Sequence, residues 1–172
     1  MEKRFPNLGD WIIKGNSYNA TIKNINELYL TSYPSSSDVP VCFASTAMKE
    51  PGYCDYTVTE YMNTEGSSLS IAITFSKNEE ETYRLCSEGN GNVGLMKGKL
   101  PETIEGTECS FLFFKNDFAV GDDSYSFQCA DGHGKYLSYD KHNQAILKDA
   151  PDVKTDETCK MTVTLIITGE FT

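Results

Sequence analysis

Histidine and tryptophan are almost missing from this 172-residue chain: His133, His142 and Trp11 are the only such side chains. Two histidines and six scattered thiols offer no recognisable metal-ligand set. No Cys-x-x-Cys pair occurs, which argues against a zinc knuckle or a thioredoxin-type site. There is no Gly-rich phosphate loop ending in Gly-Lys-Ser/Thr and no Gly-x-Ser-x-Gly nucleophile turn. Positive charge is also short. With 15 basic against 25 acidic residues the net charge is −10. That balance argues against a nucleic-acid-binding face or an anionic membrane surface, and suits a basic protein partner. No apolar run approaches the roughly 20 residues of a membrane-crossing helix. Residues 1–10 lack the apolar stretch of a secretory signal, so the expectation is a chain made without a leader or one from which a leader was trimmed.

What is present reads as one all-β domain. Hydrophobic residues make up 39% of the chain, and the nine Phe and ten Tyr are spread along it, as in a globular domain. Short alternating runs are broken by turn formers. Leu69, Ile71, Ile73 and Phe75 share one face of a strand. So do Tyr125, Phe127 and Cys129, and again Met161, Val163, Leu165 and Ile167. Further strands are expected at 20–24, 27–32, 41–44, 56–61, 83–87, 93–97, 110–115, 135–139 and 145–148, with a short helix possible at 76–81. Pro, Gly and Asn clusters such as Gly89-Asn-Gly-Asn92 and Asp131-Gly-His-Gly134 separate them. About a dozen strands fit three weakly related four-stranded units, but periodicity does not separate that plan from a jelly roll or a sandwich.

Few residues suggest chemistry. Cys129 and His133 lie four positions apart, yet the cysteine continues an inward strand face, where thiols are usually inert packing groups. Asp117, Asp122 and Asp123 lack the ligand spacing of a calcium loop. Asn19-Ala-Thr21 is a formal glycosylation sequon. The cysteines (Cys42, Cys54, Cys86, Cys109, Cys129 and Cys159) number enough for three disulfides, while the absence of a visible leader favours free thiols. The residues support a non-catalytic binding module and name no partner.

Several stretches, in order, resemble cytokines of the interleukin-1 superfamily, nearest the interleukin-18 branch. They are Thr21-Ile-Lys-Asn-Ile-Asn-Glu27, Glu60-Tyr-Met62 followed by 69–75, Leu100-Pro-Glu-Thr-Ile104 followed by Phe111-Leu-Phe-Phe114, and 125–129 followed by Gly134-Lys-Tyr-Leu137. Residues 136–148 with Thr158-Cys159 look closer to interleukin-33. The resemblance implies a β-trefoil: a six-stranded barrel capped by three hairpins. It implies a secreted, pro-inflammatory and monomeric cytokine with no enzymatic activity and no cofactor. Export would be leaderless, from the cytoplasm. The partners would be interleukin-1-type receptor ectodomains, a primary immunoglobulin-domain chain and a recruited accessory chain. An inflammatory caspase would cut between Asp10 and Trp11, leaving residues 1–10 as a propeptide remnant and 11–172 as the cytokine domain. That cut removes two acids (Glu2, Asp10) and two bases (Lys3, Arg4), so the charge stays at −10. The resemblance places primary-receptor contacts at Lys14, Lys23 and Glu27, and accessory-receptor contacts at Lys97 and Lys99. The hairpin tip Gly66-Ser67-Ser68 departs from the family by lacking an Arg. A receptor antagonist or decoy of the same superfamily is the alternative, as is a trefoil lectin or protease inhibitor.

Overall fold

The computed structural model describes residues 9–36, 38–45, 52–66 and 68–167. Thirteen strands run through them: β1 (Trp11–Lys23), β2 (Tyr29–Ser32), β3 (Val41–Ala44), β4 (Tyr56–Asn63), β5 (Leu69–Ser76), β6 (Thr82–Ser87), β7 (Val93–Lys97), β8 (Thr103–Ile104), β9 (Phe113–Asp117), β10 (Ser124–Cys129), β11 (Tyr136–Tyr139), β12 (Ala145–Lys148) and β13 (Met161–Leu165). Two 3-10 turns, Val153–Thr155 and Glu157–Cys159, precede β13.

The pairings close a ring. β1 pairs with β4, β4 with β5, β5 with β9, β9 with β10, β10 with β13, and β13 returns to β1, every pair antiparallel. Closure leaves this six-stranded barrel without free edges. The hairpins β2–β3, β6–β7 and β11–β12 stand outside the ring. They meet one another through the bridges Cys42–Gln144 and Asn92–Ile146 and through the bonds from Phe43 N to Asn143 O (2.7 Å) and Leu147 N to Gly91 O (2.8 Å). A six-stranded barrel with three mutually touching hairpins at one end is the β-trefoil.

Period-two alternation fills the barrel. Ile22, Tyr56, Val58, Ile73, Phe75, Phe113, Phe127 and Met161 are buried in one cluster. Each large apolar side chain buried there stabilises the fold by about 1.5–3 kcal/mol. The one polar atom of Tyr56 is satisfied by Ser32 Oγ at 2.7 Å, which ties β4 to β2. A second cluster outside the barrel packs Trp11, Tyr61, Ala72, Ile104, Phe111 and Leu112.

Several expectations change. The first strand begins at Trp11, nine residues before the expected start, and two-residue β8 was not foreseen. From Ile13 opposite Tyr61 to Ser17 opposite Thr59, β1 advances four residues while β4 advances two, a bulge with Gly15 at φ +79. The strand expected at 110–115 starts only at Phe113, because Ser110 and Leu112 give their carbonyls to the backbones of Ser87 and Ala130. The helix considered at 76–81 does not form: β5 runs to Ser76, and Asn78 Oδ1 accepts the N–H groups of Glu80 and Glu81 in a side-chain turn. Leu69, expected to face inward, is 49% exposed at the start of β5.

The Lys148–Asp156 ion pair (2.8 Å) ties β12 to the 3-10 turns. The Lys148 bond, then that of Thr158, hold the Asp156 carboxyl below the usual carboxylate range. A folded value below the unfolded one adds stability that is present above about pH 4 and lost as pH falls through the folded value. Asp156 also accepts from Thr158 N at 3.1 Å as a cap. Asp156→Ala is expected to cost about 1 kcal/mol at neutral pH. The deficit should shrink below pH 4 in urea titrations run across pH.

Candidate receptor-binding surface

The residues expected to read a partner do not form one patch. Lys14 lies exposed in the β1 bulge and Lys23 ends the same strand. At about 3.3 Å per residue, even a bulged strand separates them by more than about 20 Å. Lys97 ends β7 and Lys99 follows it, both exposed.

Lys23 and Glu27 are brought together by a turn built on Asn24. That side chain is 3% exposed, and its Oδ1 accepts from Asn26 N (3.0 Å) and Leu28 N (3.1 Å). Its backbone carbonyl accepts from Glu27 N, and its N–H donates to Leu28 O, both at 3.0 Å. An Asn side chain mimics a backbone turn in this way, which explains the spacing Lys-Asn-Ile-Asn-Glu. The turn forces Glu27 to φ +61, a left-handed conformation that Glu adopts at a cost of about 1 kcal/mol. Ile25 projects from the same turn, 39% exposed, and Lys23 Nζ sits 5.3 Å from the Tyr29 ring centre. A cation, a carboxylate and an apolar side chain therefore stand on one rigid loop, suited to reading a protein surface. Ile25 and Tyr29 stand beside these charges and were not singled out from sequence. The signal available for Ile25 was an apolar residue between two turn-forming asparagines.

Lys97 stands at a second charged cluster. It pairs in register with Tyr83, whose hydroxyl donates to Glu81 Oε2 at 2.8 Å. That bond, with help from Lys97 and Lys77, holds the Glu81 carboxyl below its ordinary range. Gly98, at φ +140, donates to Thr82 O (2.8 Å) and turns the chain toward Lys99.

Asp10 and Trp11 are not on a free tail. Asp10 is 2% exposed; its Oδ1 accepts from Gly106 N and its carbonyl from Thr64 N, each at 2.9 Å. Trp11, also 2% exposed, donates from Nε1 to Thr107 O at 3.0 Å. Asn63 Nδ2 adds a bond to Gly9 O at 3.0 Å. Together these clasp the start of β1 between the β4 terminus and the loop after β8. Residues 1–8 and the hairpin-tip residue Ser67 lie outside the described residues.

Cys129 is buried, its thiol donates to Ser110 O (3.6 Å), and desolvation pushes it up to about 12, whereas His133 is exposed. A thiolate at neutral pH is thereby disfavoured. All six cysteines are free thiols. Among the described residues no three His, Cys, Asp or Glu side chains gather closely enough to hold a metal ion. No helix among them is long and apolar enough to cross a membrane.

No family model matches the chain. No curated protein matches it by sequence. Solved structures do match. A mutant of Gallus interleukin-1 superposes with a TM-score of 0.61 at 11% identity, covering 90% of this chain and 99% of that one. A mutant of Gallus interleukin-1 beta gives 0.63 at 12% identity over the same shares. At such identities the likeness speaks for the fold, and it spans nearly the whole of both chains. The barrel, the three hairpins and this superposition together make the chain a β-trefoil of the form found in interleukin-1 beta.

Proposed function

We propose that the chain is a secreted pro-inflammatory cytokine of the interleukin-18 type, which binds a primary immunoglobulin-domain receptor and recruits an accessory chain. The observation that carries this reading is the near-complete superposition on interleukin-1 structures. The collinear motifs direct it to the interleukin-18 branch, and the loop of Lys23, Ile25 and Glu27 supplies a preformed polar and apolar contact for the primary receptor. Lys14 serves as a separate contact at the far end of β1. Lys97 and Lys99 face the accessory chain. In a reporter cell carrying the receptor pair, the chain should give a saturable response that soluble primary ectodomain abolishes. A chain that binds the primary ectodomain but silences the reporter is an antagonist instead.

We further propose processing by an inflammatory caspase between Asp10 and Trp11, separating residues 1–10 from the domain 11–172. The clasp around Asp10 makes this cut depend on local opening of β1. Cleavage also places a new ammonium on the buried Trp11 and removes the carboxylate bound to Gly106 N, so the shortened chain should be less stable by about 1–3 kcal/mol. The folded chain should be cut on the order of 100-fold more slowly than a peptide of residues 5–14, because only the open fraction is a substrate. Asn63→Ala, which releases Gly9, should speed the cut. Equal rates for chain and peptide would contradict a closed clasp.

A further inference from the structure

Among the described residues no hairpin closes the end of the barrel away from the three hairpins. A cleft of about 500 Å³ opens there, lined by Tyr18 of β1, Lys115 of β9, Asp123 and Tyr125 beside and on β10, and Val163 and Leu165 of β13. Lys115 reaches across the opening: its Nζ donates to Tyr18 Oη at 2.9 Å and lies 4.1 Å from the Tyr125 ring centre and 5.3 Å from that of Tyr18. We propose that this mouth binds a small amphipathic monoanion, a medium-chain carboxylate. Lys115 would hold the head group between the two tyrosines, and the hydrocarbon would lie on Val163 and Leu165.

Three observations carry the proposal. The first is the state of Lys115. In a chain of net charge −10 it is half-buried, and among the described residues no carboxylate stands within ion-pairing distance of its ammonium. A half-buried lysine beside two aromatic rings gains from an anion brought to it. Its ammonium has three donors, and Tyr18 uses one; the remaining two match the two oxygens of one carboxylate. The second is the wall. Leu165 is 61% exposed, although it continues the inward row of Met161 and Val163, so apolar surface faces solvent next to the cation. The third is Asp123, which lines the same cleft and disfavours a multiply charged anion such as phosphate more than it disfavours a monoanion. A cleft of this volume lies within the usual range of small-molecule sites.

The test is a titration of the full chain with sodium decanoate, followed by backbone NMR and calorimetry, with decanol as the uncharged control. The expected result is saturable shifts confined to Tyr18, Lys115, Tyr125 and 163–165, with decanol weaker by about ten-fold or more, the usual scale for losing a hydrogen bond to a charged group. Lys115→Met should weaken decanoate by a similar factor and leave decanol unchanged. Leu165→Asp, at the exposed end of β13, should weaken it too and serves if the Lys115 variant misfolds. Equal binding of decanol and decanoate, or shifts elsewhere on the surface, would overturn the proposal, as would no saturable binding.

Discussion

Trp11→Ala should lower the stability of the fold by about 3–5 kcal/mol, the range for deleting a buried aromatic side chain. Trp11 is the only tryptophan, sits at the first position of β1 and is 2% exposed. Its strand pairs on one side with β4, Trp11 opposite Asn63, and on the other with β8, Trp11 opposite Ile104. Its ring meets Phe114 at a centroid distance of 5.9 Å and an angle of 56°. Removing the ring empties the middle of the second core cluster and frees the loop that also holds Asp10. Trp11→Phe keeps an aromatic ring and loses the bond to Thr107 O, so a smaller loss is expected, on the order of 1–2 kcal/mol. Urea unfolding followed by far-ultraviolet circular dichroism measures both. A loss below about 1 kcal/mol for Trp11→Ala would mean that the start of β1 is not part of the cooperative fold.

Lys23→Glu should weaken binding to the primary receptor ectodomain at least ten-fold, about 1.4 kcal/mol, by placing like charge against whatever acidic surface the lysine meets. Glu27→Gly should weaken binding by a similar factor while leaving thermal stability within about 1 kcal/mol of the parent. Glycine relieves the left-handed conformation at φ +61 but adds freedom to the unfolded chain, and the two effects offset. This variant separates recognition from folding, because the carboxylate disappears while the turn built on Asn24 remains. A strained Glu retained where Gly would fit better is the pattern expected when a side chain serves binding. Unchanged affinity for both variants would remove the turn from the recognition surface.

The parts of the fold most legible in sequence are short strands with sharp ends. β3, β7 and β12 fall on the expected residues because each is a brief apolar run bounded by turn formers. The first half of β1 was hidden because Lys14-Gly-Asn16 breaks the alternation, and in the fold those residues bulge out while the pairing resumes at Ser17. β8 is too short to leave a periodic trace. Barrel closure and the hairpin cap depend on contacts between distant strands, and resemblance rather than periodicity supplied them. Of the candidate site, the turn was legible because it is local. The Asn24 turn closes within five residues, so Lys23 and Glu27 could be placed together. Asp10 was read as part of a tail, because an acidic residue near a chain start carries no sign that its acceptor oxygen will meet Gly106 N, 96 positions away. The bond between Lys115 and Tyr18 spans 97 positions across the barrel and has no sequence signal at all.

The most direct measurement is surface-bound interleukin-18-type primary receptor ectodomain titrated with the chain, alongside the Lys23→Glu and Glu27→Gly variants. Saturable one-to-one binding, weakened at least ten-fold in both variants, is the expected result. No saturable binding to this or any other interleukin-1-type ectodomain would contradict the cytokine reading and leave the chain a trefoil with another partner.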